Sequence, residues 1–181
     1  MTKTQRNPYI YLPTVIFITL MLIFVSRVAR AENSDDANAA AAAPKVSVVT
    51  DLSALSPESA QRKVPILLMF AAEDCEYCER LEEDVIRPMM ISGEFDRRAI
   101  VRKVMLDSPA KLKDFSGKKL NVDNYATQHK VRVTPTLMFV DANGKELAPK
   151  VIGYQTSDFY AAYLDVAIDA SRDSLLKQQT N

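Results

Sequence analysis

Cys75 and Cys78 are the only two cysteines of the chain, and they stand three residues apart. Residues at that spacing on a helix share one side, so the two sulfurs can meet and close a disulfide. If the helix begins at Cys75, its first turn leaves backbone N–H groups unpaired beside that sulfur, which favours thiolate over thiol. The pattern reads as a dithiol/disulfide redox pair. Half a zinc site or incidental thiols are the competing readings. A complete zinc site needs more ligands, and the single histidine, His129, falls on the polar face of a short helix as a solvated surface residue. No metal site is expected, and no cofactor beyond the cysteine pair itself.

The flanking sequence says how the pair is positioned. Val64-Pro65-Ile66-Leu67-Leu68-Met69-Phe70 is a short apolar run of strand length, bounded by charge and Pro. After the cysteines, Leu81, Val85, Ile86 and Met89 recur at helical spacing. A buried strand therefore delivers the pair to the first turn of a helix running from Cys75 to about Met90, which Pro88 should bend or end.

Composition narrows the class of protein. The 181 residues suit one domain plus an appendage. Formal charge is zero, but residues 1–31 carry Lys3, Arg6, Arg27 and Arg30 and no acid, which leaves 19 basic against 23 acidic residues in the rest. That balance argues against nucleic acid as a partner. Lys3 and Arg6 precede an uncharged apolar run of 17 residues, Tyr9 to Val25, and Ala29-Arg30-Ala31 offers small residues at peptidase spacing. Residues 1–31 thus read as an export signal, or as a membrane anchor formed by residues 9–25. Arg27 and Arg30 sit awkwardly with both, because positive charge just past an apolar run opposes its export. Either way the remainder, residues 45–177 and a tail at 178–181, is expected outside the cytoplasm. Residues 32–44 include five consecutive alanines and almost nothing large to bury, and read as a disordered linker.

Along the expected domain, Lys45 to Thr50 alternates like a short first strand. Ser56 caps a helix with Pro57 in its first turn. Ala99 to Leu106 reads as a strand, Lys111 to Asn121 as an exposed polar loop with four lysines, and Val122 to Lys130 as a helix capped by Asp123 or Asn124. A strand Leu137 to Val140, the turn Asp141-Ala142-Asn143-Gly144 and an antiparallel return Lys145 to Ile152 follow. Thr156 or Ser157 caps a last helix whose Phe159, Tyr160, Tyr163, Leu164, Ala167 and Ile168 form one apolar stripe, with both tyrosines in the core. The alternation of elements is that of an α/β sandwich with a central mixed sheet flanked by helices. Met89, Met90, Met105 and Met138 fit core packing, not copper binding. Lys111, Lys113, Lys118 and Lys119 make a solvated face, with docking of an acidic partner as the sharper alternative.

A strand ending in a Cys-x-x-Cys helix, a later Val133-Thr134-Pro135-Thr136, then strand, Asn-Gly turn, strand and closing helix, resembles the thioredoxin superfamily over residues 46–176. Within it the chain looks most like exported bacterial thioredoxin-like proteins of the kind found beside sulfur-oxidation (Sox) systems. The resemblance implies that Cys75 is the nucleophile and Cys78 the resolving thiol. It implies that Pro135 is a cis-proline facing the sulfurs, and that Thr134 offers its backbone to an extended substrate and its hydroxyl to Cys75. A membrane thiol transporter as electron donor is likewise implied. Three departures stand out. Asp74 replaces the family's Trp, Glu76-Tyr77 replaces Gly-Pro, and Met69 stands where thioredoxins carry a buried acid.

The substitutions suggest roles. Tyr77 is an exposed contact for a partner protein. Glu73, Asp74 and Glu76, with Glu79, crowd Cys75 with like charge, which opposes the thiolate and makes the pair a better reductant; their bland role is to complement the helix start. The expected function is an exported, periplasmic thiol-disulfide reductase, passing electrons from the transporter to disulfides of client proteins. The alternatives are a disulfide oxidase or isomerase, or a metal-delivery or client-binding module without turnover.

Overall fold

In a computed structural model, the structure describes residues 44–179. The expected signal or anchor and nearly all of the linker lie outside the described residues. A 3-10 turn, Leu52–Leu55, leads into α1 (Ser56–Arg62). Then follow β1 (Ile66–Ala71), α2 (Glu76–Leu81), a π-helical turn Glu82–Ile86 and α3 (Arg87–Ile91). The rest is β2 (Ile100–Met105), β3 (Leu112–Lys113), β4 (Lys119–Leu120), α4 (Val122–Gln128), β5 (Thr136–Val140), β6 (Val151–Ile152) and α5 (Tyr160–Gln179).

The main sheet has the order β2-β1-β5-β6 and is mixed. β1 runs parallel to β2 and antiparallel to β5, and β5 pairs antiparallel with β6. Every residue of β1 is buried, because the strand is covered on both faces. Leu67, Met69 and Ala71 point into one apolar cluster with Cys78, Leu81, Val85, Ile86, Leu164 and Ile168. Ile66, Leu68 and Phe70 point the other way, onto Leu52, Leu55, Tyr125 and Ala126. The period-2 alternation of a single strand thus divides the core into two layers and makes the sandwich.

Local hydrogen bonding moves several expected boundaries. Lys45 to Thr50 forms one parallel bridge to β2 at Val48–Lys103 instead of a strand. The Val46 N–H donates to the Glu82 carboxylate at 2.8 Å, so that residue is held by a side chain and not by a ladder. Ser56 is no cap: Asp51 caps the preceding 3-10 turn through the Ala54 N–H, and the chain enters α1 already helical. The Ser56 hydroxyl is buried without a hydrogen-bond partner. Pro88 does not stop the helix, which continues to Ile91. The widened π turn just before it relieves the clash a proline ring makes with the carbonyl four residues earlier.

The lysine-rich stretch expected as a loop is a small hairpin, β3 with β4, in which Leu112 faces Leu120 and both are buried. Two leucines in a polar run suffice to anchor it on the second core layer. Lys113 pairs with Asp51 at 3.1 Å, and Lys111 donates to the Asn121 side chain. α4 starts at Val122 as expected, but its N-cap is the extended Asn121 and not Asp123 or Asn124, and it ends at Gln128. Only Val151 and Ile152 of the expected return strand pair with β5, beyond a lone bridge at Glu146; Pro149 lies between and cannot donate to a ladder. α5 starts at Tyr160, beyond the expected caps. Its buried stripe is Tyr160, Leu164, Ile168, Ser171 and Leu175, which leaves Phe159 and Tyr163 at 71% and 68% exposed. Tyr163 is therefore no core residue: it falls beside the buried line that runs from Tyr160 through Leu164 to Ile168.

The turn 141–144 holds as read, and it supplies a test of the packing. Asp141 accepts from the Asn143 and Lys145 N–H groups at 2.8 and 2.9 Å, and Gly144 has φ +83°. A Cβ there would lie 2.5 Å from Cδ2 of Phe115, the residue that carries the β3–β4 hairpin over this turn. Gly144→Ala is expected to cost about 1–3 kcal/mol, from the left-handed backbone and displacement of the ring. The thermal midpoint should fall by roughly 3–12 °C, at about 3–4 °C per kcal/mol for a domain of this size. A midpoint within about 1 °C of the parent protein would contradict the packing described.

Candidate functional site: a cysteine pair at a helix N-terminus

β1 ends at Ala71, whose carbonyl accepts from the Leu106 N–H at 2.8 Å, and the chain then turns through Ala72, Glu73 and Asp74. The Glu73 N–H is anchored by Asp107 at 2.5 Å. Asp74 adopts φ +53°, a left-handed conformation that Asp tolerates better than most residues. That reversal places Cys75 as the N-cap of α2 (φ −92°, ψ +90°), and its carbonyl accepts from the Cys78 and Glu79 N–H groups at 2.9 and 3.1 Å.

Cys75 and Cys78 are joined by a disulfide, with a Cα–Cα separation of 5.2 Å. Their environments differ. Cys78 is 4% exposed, packed against the first core layer, whereas Cys75 is half-buried at the surface. Thr134, half-buried, brings its Oγ1 to 3.4 Å from the Cys75 Sγ, across 59 residues of sequence. The Thr134–Pro135 peptide is cis, and Pro135 accepts from the Gly153 N–H at 2.8 Å, which ties the segment to the end of β6. The structure thus brings Cys75, Cys78, Thr134 and Pro135 into one neighbourhood. Tyr77, between the cysteines, is exposed. Glu73, Asp74, Glu76 and Glu79 are all exposed, Glu76 and Glu79 within the first turn of α2.

His129 is not the solvated residue expected. It follows the end of α4, half-buried, with its ring 4.5 Å from that of Tyr125 and Nδ1 3.3 Å from Glu146. Burial pushes the Glu146 carboxyl up, but Lys150 and His129 outweigh it and hold it below its ordinary value. This cluster is one of α4 with the 145–150 loop and not of the sulfurs. Among the described residues no group of three His, Cys, Asp or Glu is arranged to hold a metal ion.

Two residues near the pair were missed in the sequence. Glu82, one turn beyond Cys78, is a buried carboxylate, and its Oε2 pairs with the Lys103 ammonium of β2. The available signal was the four-residue step from Cys78, which puts both on one face of the helix.

This fold and this cysteine pair define a thiol-disulfide redox protein of the α/β sandwich class. The family model of the thioredoxin-like domain matches residues 57–168, and the chain belongs to that family. No curated protein matches it in sequence. Solved structures similar to it include Fasciola hepatica thioredoxin, 18% identical with a TM-score of 0.45, covering 68% of this chain and 97% of that one. A thioredoxin-fold protein from Helicobacter pylori is 22% identical with a TM-score of 0.43, covering 65% and 85%. A chain from work on thiol resolution in yeast mitochondrial 1-Cys peroxiredoxin, via glutathione and thioredoxin systems, is 15% identical with a TM-score of 0.45, covering 68% and 93%.

Proposed function

We propose that this protein is an exported thiol-disulfide reductase of the Sox-associated thioredoxin-like type. In this reading Cys75 attacks a client disulfide and Cys78 resolves the mixed disulfide. The observation that carries it is the asymmetry of the pair. One sulfur is half-buried at a helix N-cap beside Thr134, and its partner is buried one turn behind. Thiol-disulfide exchange needs an accessible attacking sulfur and a sheltered one that competes only intramolecularly.

The direction of electron flow rests on charge. Glu73, Asp74, Glu76 and Glu79 flank the attacking cysteine in the sequence and are all exposed, and their charge offsets the thiolate stabilisation the helix start provides. A reduced form stabilised less gives a lower potential, and so a donor of electrons. Exposed Tyr77 and the backbone at Thr134 would contact the client. The basic start, apolar run and small residues of the first 31 positions support a periplasmic location, with a membrane thiol transporter as electron source.

Equilibration with glutathione redox buffers, followed by alkylation and mass determination, tests this reading. The pair is expected to titrate as a single two-electron couple with a midpoint more negative than about −200 mV. A midpoint near about −120 mV, the range of strong oxidants, would overturn the reductase reading in favour of an oxidase.

A further inference from the structure

Resolution of a mixed disulfide requires the Cys78 thiol to lose its proton, yet Cys78 is only 4% exposed. Glu82 lies one turn further along the same side of the helix and is 6% exposed. Cys78, Glu82 and Lys103 line one cleft of about 320 Å³ beside the sulfurs. The cleft's other charged walls are Glu79 from the same helix and Glu73 and Asp74 from the preceding turn, and all three are exposed. Among the described residues the one other buried carboxylate is Asp141, which is committed to the N–H groups of its own turn. Glu82 is held from two sides: Oε1 accepts from the Val46 N–H at 2.8 Å, and Oε2 pairs with Lys103. A carboxylate so fixed and so sheltered is costly to keep unless it is held this well.

We propose that Glu82 is the proton acceptor for Cys78 in the resolving step, with Lys103 as the positioning residue that holds it. This rests on the disulfide-exchange reading above. In the mixed disulfide, Cys75 Sγ is bonded to a client sulfur and Cys78 is a thiol. The Cys78 proton passes across the cleft to the Glu82 carboxylate. The sulfur's electron pair attacks Cys75 Sγ, the Cys75–Cys78 bond forms, and the bond from Cys75 to the client breaks. The client sulfur leaves with that electron pair and takes the proton from Glu82. Two electrons and two protons have then passed from the dithiol to the client disulfide over the full reaction, and Glu82 is unchanged.

Stopped-flow mixing of the reduced protein with excess dithiobis(nitrobenzoate) separates the steps. Attack by Cys75 releases one coloured thiolate and resolution by Cys78 releases a second. In the wild-type protein the second phase should change by less than about threefold between pH 6 and 8, because the proton passes to Glu82 and not to hydroxide from solvent. Glu82→Gln keeps an acceptor for the Val46 N–H and the side-chain shape. It is expected to slow the second phase by about 10- to 100-fold at pH 6–7, to make it rise about tenfold per pH unit, and to leave the first phase within about twofold. Glu82→Asp, which restores a titratable oxygen, should recover most of the rate, whereas a merely structural role predicts no recovery at matched folding. An unchanged second phase in folded Glu82→Gln would overturn the proposal. So would a wild-type second phase that itself rises tenfold per pH unit, a result that needs no variant to fold. Absence of the first phase from wild-type protein would overturn the disulfide-exchange reading and this proposal together, while equal second phases would remove the role of Glu82 alone.

Discussion

Replacing Cys75 by Ser is expected to lower insulin-disulfide reduction by about three orders of magnitude, to the rate of the dithiol reductant alone, a loss of about 4 kcal/mol of transition-state stabilisation. The loss is steric as much as electronic. Once Cys75 is gone, the remaining sulfur is Cys78, packed against Met69 and Leu81 in the first core layer and unable to reach a protein disulfide. A hydroxyl at the N-cap keeps the helix start intact, since Ser is a good capping residue. The circular dichroism of the variant should therefore match that of the reduced parent. Turbidity of precipitating insulin chains reads the rate. More than about a tenth of parental activity in the folded variant would mean that the first sulfur is not the attacking one.

Removing the second sulfur gives a different outcome: Cys78→Ser should convert a fleeting adduct into a stable one. The internal thiol competes at high effective concentration because helix geometry holds it beside Cys75, with Cα atoms 5.2 Å apart. An external thiol at millimolar level must replace it, which slows resolution on the order of 10³-fold or more. Incubated with a disulfide-bearing protein, the variant is expected to accumulate a covalent 1:1 complex that reducing agent dissolves. The new hydroxyl would be buried where the Cys78 thiol now sits, so Cys78→Ala serves as a second variant that places no polar group in the core. Non-reducing electrophoresis reads the complex in either variant. If neither accumulates it while both still bind and reduce insulin, Cys78 is not the resolving thiol.

Much of this was legible in the chain because the strongest signals are local. Val64 to Phe70 reads as a buried strand because its run of apolar residues is covered on both faces in the fold. The cysteine spacing and the helical recurrence of Leu81, Val85 and Ile86 identify the site's helix in the same way. What escaped was decided by single side chains reaching across the molecule. The Glu82 carboxylate takes the Val46 N–H, and the pairing of this segment with β2 is confined to one bridge at Val48. Asp51 starts a 3-10 turn that shifts the helix start away from Ser56. Leu112 and Leu120 turn a lysine-rich stretch into a hairpin because they face each other, a pairing invisible until the turn between them is known. Tyr163 reads as core because a stripe of steps of three and four admits it; the packed face of α5 takes only the steps that return to Leu164 and Ile168. The neighbourhood of Cys75 and Thr134 joins residues 59 apart, and only the resemblance to a known fold made it an expectation before the contact was in view.

Exchange of two electrons between the Cys75–Cys78 pair and a protein disulfide can be followed in a single turnover: fully reduced protein mixed with an equimolar amount of insulin, quenched with an alkylating agent at intervals, and mapped by peptide mass. The Cys75–Cys78 disulfide is expected to appear at the rate at which one insulin disulfide is lost, one for one. Insulin thiols appearing while both cysteines remain alkylatable, or no loss of insulin disulfide at all, would contradict that exchange.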